Sequence, residues 1–275
     1  GGAAHRKGRD RQHGRLAQAL RPHRLPSINK LVAVGAAGIG GKGDVGAEQG
    51  TVEPGLPDLD VGRHLQPGGI DDLEVYRQVV VDGIHDHWIA PEEGKWQYSY
   101  HERIENYTVP GIPEPVNQLE AAINLLCDAS HTRRAQVVLW KPWADADCGH
   151  PACLQRLWFR IFDDRLLMSA NMRSNDAFKA AFMNMYAFTD LQRVVAERVS
   201  ERTGKEIKVG QYNHIVDSFH IYGSYFDDFR GFKWSVEQRT FEQRTYRTED
   251  VQVLIDEARE KIKQAVEKEK GNDPQ

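Results

Sequence analysis

Cys153 lies in HPACLQRLWFRI, close behind a proline and just ahead of an apolar run. A cysteine attacks as its thiolate, so a reactive one needs nearby positive charge or another means of lowering its pKa. Arg133 and Arg134 upstream and Arg173 downstream are the candidates for that charge. The competing reading is a small core residue at the start of a strand, and taken alone that is the commoner case, because free cysteines are among the most buried residue types. Cys148 stands five residues earlier with His150 between, which invites a zinc reading. A second ligand pair at metal-like spacing is missing, and no metal is expected.

Two further stretches carry groups that could converge with Cys153. In MRSNDAF, Arg173, Ser174, Asn175 and Asp176 follow one another at the end of an apolar strand. Ser, Asn and Asp are good caps for the turn before a helix. The same groups suit a phosphate and a polar heterocycle: Arg offers a planar fork, Ser a hydroxyl, and Asp an acceptor for a ring N–H. In DSFHIYGSY, His220 and Tyr222 alternate with Phe219 and Ile221 and so share one strand face. Two hydrogen-bonding rings on one face suit a sugar hydroxyl, or else form a satisfied core pair.

The elements that must position these groups are legible from about Val75 onward. PVNQLEAAINLLCD places Leu119, Ala122, Ile123 and Leu126 on one helical face. RRAQVVLW reads as a strand, and LQRLWFRIFDDRLLMSANMRS as two strands around an Asp163-Asp164 turn. NMYAFTDLQRVVAERVSERTG gives a helix with Met185, Phe188, Leu191, Val195 and Val199 in register, stopped by Gly204. IKVGQYNHIVDSFHIY returns to strand-like alternation. The end of the chain forms an amphipathic helix on Val251, Leu254, Ile255, Ala258, Ile262 and Val266. Strands and helices interleave without strict βαβ alternation, which predicts an α+β fold, a mixed sheet layer packed by helices.

Residues 1–75 differ. They contain no Phe, Trp or Tyr, although the chain has 25 aromatics, and they hold 15 of its 24 glycines. Their opening, AAHRKGRDRQHGRLAQALRPHR, is strongly basic. LVAVGAAGIGG resembles a strand entering a phosphate loop, but no GxxxxGK[ST] follows, so a Gly-rich loop or irregular lobe is expected. The division is therefore a divergent lobe at 1–75 and a domain at 76–275 that holds the candidate residues, as parts of one continuous domain. Composition is that of an ordinary globular protein, 40% hydrophobic and 28% charged. No apolar run reaches the ~20 residues of a membrane span, and no signal-peptide pattern opens the chain. Three cysteines argue for a reducing compartment, hence the cytoplasm. A net charge of −4 gives no reason to expect nucleic-acid binding.

RSND followed eight residues later by Asn184, a Pro-x-Cys segment upstream, an Arg pair before that, and HIY downstream together resemble the thymidylate synthase family. YSYHERI resembles the tyrosine-containing segment before that family's arginine, and NQLEAAINLL with TRRAQVVLWKP its following helix and strand. The order and spacing match from Tyr98 to Tyr225, and the folate-dependent pyrimidine hydroxymethylases share the pattern. The resemblance implies a homodimer formed through the sheet face. It implies one-carbon transfer from 5,10-methylenetetrahydrofolate to C5 of a pyrimidine nucleoside 5′-monophosphate, methylation of dUMP first. Cys153 takes the position of the nucleophile that attacks C6, so that C5 can attack the one-carbon donor. Arg173 and Ser174 match phosphate ligands, Arg173 also lying near the thiolate. Arg133 and Arg134 match the pair that reaches the neighbouring subunit's phosphate. Asn184 matches the side chain that reads the base, Asp176 the aspartate that bonds the folate's pterin, and His220 and Tyr222 the pair on the sugar 3′-hydroxyl.

The chain departs from the pattern at several places. The family's N-terminal phosphate loop has no counterpart, and Glu74 is the nearest candidate for its catalytic glutamate. His101 stands where glycine is usual, Ala152 replaces a second proline, Leu154 follows the cysteine where many members have histidine, and Met172 replaces a glutamine. Trp88 and Trp96 are candidates for the tryptophan that guards the exocyclic methylene in methylating members. Three alternatives stand beside dUMP methylation. One is hydroxymethylation of dUMP, dCMP or CMP, with water ending the reaction. Another is a non-catalytic homologue that binds nucleotide or, through its basic N-terminus, RNA. The third is a cysteine hydrolase pairing Cys153 with His150 or His220.

Overall fold

The computed structural model describes residues 32–35, 69–240, 243 and 248–272. The basic opening and the glycine run after Gly35 lie outside them. In chain order the elements are β1 (Val32–Gly35), α1 (Ile70–Val81), α2 (Tyr100–Glu105), β2 (Tyr107–Val109), β3 (Ile112–Val116), α3 (Gln118–Asp128), β4 (Gln136–Val138), α4 (Pro142–Asp145), β5 (Leu154–Phe162), β6 (Arg165–Asp176), α5 (Ala181–Thr203), β7 (Lys208–His220), α6 (Phe226–Gln238) and α7 (Thr248–Asn272). Among the described residues five strands form one sheet in the order β1-β7-β6-β5-β4, and β2 and β3 form a separate antiparallel pair. β7 runs parallel to both β1 and β6, whereas β5 is antiparallel to β4 and β6. This is the α+β architecture expected, a mixed sheet covered by helices. Helix α1 runs across residue 75. Among the described residues no helix is long and apolar enough to cross a membrane.

The β5–β6 hairpin closes on Asp163 and Asp164, with φ of 48° and 54°. A two-residue hairpin turn of this hand needs positive φ at both centres, and aspartate tolerates it better than branched residues do. Period-two burial then places Leu157, Phe159 and Ile161 of β5 with Leu166, Met168, Ala170 and Met172 of β6 on the inner face. Helix α5 lies over them with Ala187, Phe188, Leu191, Val195 and Val199, all at most 1% exposed. Gly204, at φ 67°, ends that helix with its N–H donating to Ser200 O. All four apolar positions expected of α3 are buried. Of the stripe expected on α7, Ile255, Ala258 and Ile262 are buried, but Leu254 is half exposed.

Between β6 and β7 the register shifts after Leu166. Gly210 sits at the shift, where a Cβ would fall 2.8 Å from Leu166 O. The buried Gln192 amide donates to the carbonyls of Leu166 and Gln211, satisfying groups that the irregular ladder leaves over. Beyond the bulge Ser174 faces Ser218 and Asp176 faces His220. The polar end of β6 is thereby brought beside the end of β7. Val32–Gly35 is a strand rather than part of an irregular lobe: it pairs with Asn213–Val216 as the sheet's edge.

Candidate active site

The C-terminal end of β6, the segment entering β5, and helices α1, α2 and α5 enclose a cavity of about 330 Å³. Cys153, Ser174, Asp176, Asn184 and Tyr222 of the expected set line it, joined by Tyr76, Tyr100, Met172, Asn175 and Lys179. The hairpin explains the meeting of distant residues. Pairing of β5 with β6 puts Arg173 beside Cys153, and the Arg173 N–H donates to Cys153 O at 2.9 Å.

Arg173 is fixed by the chain that carries the thiol. Its Nη2 donates to Pro151 O at 2.6 Å and its Nε to Ala152 O at 3.1 Å. The same Nη2 lies 3.7 Å from Cys153 Sγ. Ala152 thus contributes through its carbonyl, which any side chain there would supply. The Tyr98 and Tyr100 hydroxyls stand near the backbone of Cys153 and Leu154 respectively. Burial pushes the phenols of Tyr76, Tyr98 and Tyr100 upward, so all three are neutral hydroxyls at ordinary pH. Burial also raises the Cys153 thiol, and Arg173 pulls it partly back down. The free protein therefore holds mainly a thiol, with a cation in place to favour the thiolate.

Asp176 closes an Asx turn, its Oδ1 accepting from the backbone N–H of Phe178 and Lys179 at 2.9 and 3.2 Å. The capping reading of RSND is therefore realised at Asp176, and Oδ2 takes no part in the turn. Asn184, on the first turns of α5, is 4% exposed. Its Oδ1 accepts from the Tyr76 hydroxyl and its Nδ2 donates to Asn175 Oδ1 at 3.1 Å. His220 and Tyr222 do not share a strand face, because β7 ends at His220 and Tyr222 caps a 3₁₀ turn at Gly223–Tyr225. Their rings still meet edge to face at 4.9 Å, with Tyr222 at the cavity mouth. Lys179 Nζ stands 3.5 Å from the centre of the Tyr225 ring at the same mouth.

Other candidates lie elsewhere. Arg133 and Arg134 are exposed just before β4 and do not line this cavity. Glu74 is fully buried on another face of α1, bound by Arg77, Arg259 and Tyr186. Trp88 and Trp96 pack on each other and on His85. Neither His150 nor His220 lines the cavity. His101, where glycine was expected, bonds Asp86 at 2.6 Å and sits against Gly83. Among the described residues no group of three His, Cys, Asp or Glu is placed to hold a metal ion. Sequence reasoning passed over Tyr76, Lys179 and His214. The available signal for His214 was a histidine at an inward position of β7, between buried Tyr212 and Val216.

A family model described as thymidylate synthase matches residues 72–273. A Methanocaldococcus jannaschii protein named "Putative thymidylate synthase" is 31% identical over 132 residues, 46% of this chain and 56% of its own length. Proteins of the same name from Methanopyrus kandleri and Methanothermobacter thermautotrophicus are 30% and 26% identical over 141 and 177 residues. Those matches cover 49% and 62% of this chain, and 65% and 74% of the relatives. The chain thus spans little more than half the length of the first of these relatives. Every residue of the cavity named above falls within the matched stretch.

Proposed function

Because the chain belongs to the thymidylate synthase family, we propose that it transfers a one-carbon unit from 5,10-methylenetetrahydrofolate to C5 of a pyrimidine nucleoside 5′-monophosphate, with methylation of dUMP as the reaction. The observation that carries this reading is the placement of Cys153 Sγ in the cavity wall, 3.7 Å from an arginine anchored to the two preceding carbonyls. The Cys153 thiolate adds to C6 of the base, and the electron pair displaced toward O4 makes C5 the nucleophile toward the one-carbon donor. C5 then gives up its proton, and a hydride from the folate, which leaves as dihydrofolate, reduces the methylene to methyl as the thiolate departs from C6. Arg173 and Ser174 take the phosphate, Asn184 the base edge, Asp176 the pterin, and Tyr222 the sugar hydroxyl, with His220 edge to face against its ring. Asn184 suits the base edge because its amide carries both a donor and an acceptor.

The phosphate is a dianion that one arginine does not neutralise. Arg133 and Arg134 are exposed and free of this cavity, in keeping with a role in a neighbouring subunit's site. The sheet face away from the helices supports a homodimer, since Phe162 and Ile215 stand exposed there.

Incubation with 5-fluoro-dUMP and the folate should leave a covalent adduct on the Cys153 peptide, seen as a mass increase. Cys153→Ala should abolish both the adduct and tritium release from C5-labelled dUMP. Tritium release that survives the substitution would remove Cys153 as the nucleophile. One observation favours the hydroxymethylase as a second reading: among the described residues lining the cavity there is no tryptophan. A C5-hydroxymethyl product formed without dihydrofolate would select it over methylation.

A further inference from the structure

Behind Asn184 runs a line of hydrogen bonds that the chemistry above does not use. The Tyr76 hydroxyl donates to Asn184 Oδ1, and Asn184 Nδ2 donates to Asn175 Oδ1 at 3.1 Å. Asn175 Nδ2 meets His214 Nε2 at 2.9 Å, and His214 Nδ1 meets the Tyr212 hydroxyl at 2.6 Å. Asn184, Asn175 and His214 are 4%, 3% and 2% exposed. Water is therefore a poor substitute for any partner in the line.

Burial lowers the His214 pKa to about 4, so the ring is neutral and carries one N–H. While Nε2 accepts from Asn175, the proton must sit on Nδ1 and point to Tyr212. The line is equally complete in reverse. Turning both amides over, moving the imidazole proton to Nε2 and rotating the two hydroxyls remakes all four bonds with donor and acceptor exchanged. A mixed arrangement is not available: one amide turned alone sets two N–H groups or two oxygens face to face in a buried site. The orientation of Asn184 and the tautomer of His214 are thus a single two-state variable.

In either state Asn184 keeps one oxygen lone pair and one N–H unspent, and these are what it can offer to the cavity. Uracil presents N3–H and O4 along the edge where cytosine presents N3 and N4–H. In one pose the two bases need the amide in opposite orientations. Resting on the reading of the cavity as a pyrimidine nucleotide site, we propose that Asn175 and His214 are specificity-determining positioning residues, setting the choice between uracil and cytosine through the direction of this hydrogen-bond line.

The test uses the wild-type protein labelled with ¹⁵N-histidine, without folate, saturated in turn with dUMP and dCMP. Assigned by its loss in His214→Phe, the His214 ring should carry its proton on opposite nitrogens in the two complexes. The same protonated nitrogen in both overturns the proposal. Two variants read the coupling through binding. Asn175→Asp, at pH 8, presents only acceptors, which holds Asn184 Nδ2 toward position 175 and should change the dUMP:dCMP affinity ratio at least tenfold. His214→Phe frees both amides to turn and should bring the ratio toward one. An unchanged ratio in both variants overturns the proposal. If 5-fluoro-dUMP labels Cys153 while tautomer and ratio stay fixed, only the hydrogen-bond line loses its role. If Cys153 is not labelled and neither nucleotide binds, the pyrimidine site falls and the proposal with it.

Discussion

Replacing Arg173 by methionine removes a cation from beside Cys153 and keeps a side chain of similar reach. The separation of 3.7 Å sets the scale. A unit charge at that distance is worth about 1 kcal/mol at the permittivity of water and about 4.5 kcal/mol at an effective value of 20. Cys153 is partly buried, between those limits, so about 2 kcal/mol is expected, or roughly 30-fold less thiolate at a given pH. A more basic thiolate is intrinsically more nucleophilic, and a Brønsted coefficient near ~0.45 recovers about half of that loss on a logarithmic scale. The net expectation is a roughly sixfold slower exchange with a small aromatic disulfide at pH 7.5, measured with Cys127 and Cys148 replaced by serine. The pH at which the rate levels off should move up. Arg173→Lys keeps the charge and loses the two carbonyl bonds, so it should fall between the parent and Arg173→Met. An identical rate and pH profile in Arg173→Met would refute the electrostatic argument and leave Arg173 only the task of holding the Pro151 and Ala152 carbonyls.

Two further expectations concern stability. Burial alone would raise the pKa of Glu74, but hydrogen bonds from Arg259, Tyr186 and Arg77 hold it below the ordinary value. Its contribution is therefore present above about pH 4.3, the unfolded glutamate value, and is lost as the pH falls through the lower folded value. Glu74→Gln should cost about 2 kcal/mol at pH 7 by removing the buried charge that Arg77 and Arg259 share, Arg77 keeping Asp82 and Asp190 and Arg259 keeping Asp256, and a urea midpoint equal to the parent's would contradict this. His85 and His214 are both pushed down to about 4, by burial first. The unfolded chain binds their protons near pH 6.5, so stability should fall as pH drops through that range, by about 2 kcal/mol per histidine at pH 5. His214→Phe should remove about half of that slope in urea melts, whereas His101, lowered by burial but raised overall by its bond with Asp86, works in the opposite sense.

The elements legible in the sequence were those whose pattern reports one dominant contact. Helix α3 and the inner face of α5 follow a 3.6-residue period because each lies against the sheet layer. The Asp163-Asp164 turn was readable because the chain needs two positive φ values at one place. Helix α7 was only partly legible. It docks on α1 through Ile255, Ala258 and Ile262, a narrow stripe, so the apolar Leu254 remains half exposed and periodicity overstates the buried face. His220 and Tyr222 show a similar limit. Alternation implies a common face only while the strand continues, and β7 stops between them.

The site was legible as a set of residues and not as an arrangement, and α1 shows why. Glu74 and Tyr76 are two residues apart, which on a helix of 3.6 residues per turn places them about 200° apart. Only one of them can face the cavity. The sequence offers a reason to choose Glu74, since a carboxylate can carry a proton. It also holds a counter-argument, because Arg77 follows at i+3 and so shares the Glu74 face. What decides is far away in the chain: Tyr186 on α5 and Arg259 on α7 supply further hydrogen bonds to that carboxylate, 112 and 185 residues distant. With Glu74 bound there, geometry turns Tyr76 to the opposite side, where its hydroxyl meets Asn184. The residue that touches the base-reading asparagine is thus selected by an ion cluster on the far face of the same helix. Disturbing that cluster should therefore reach Asn184 through the rotation of α1.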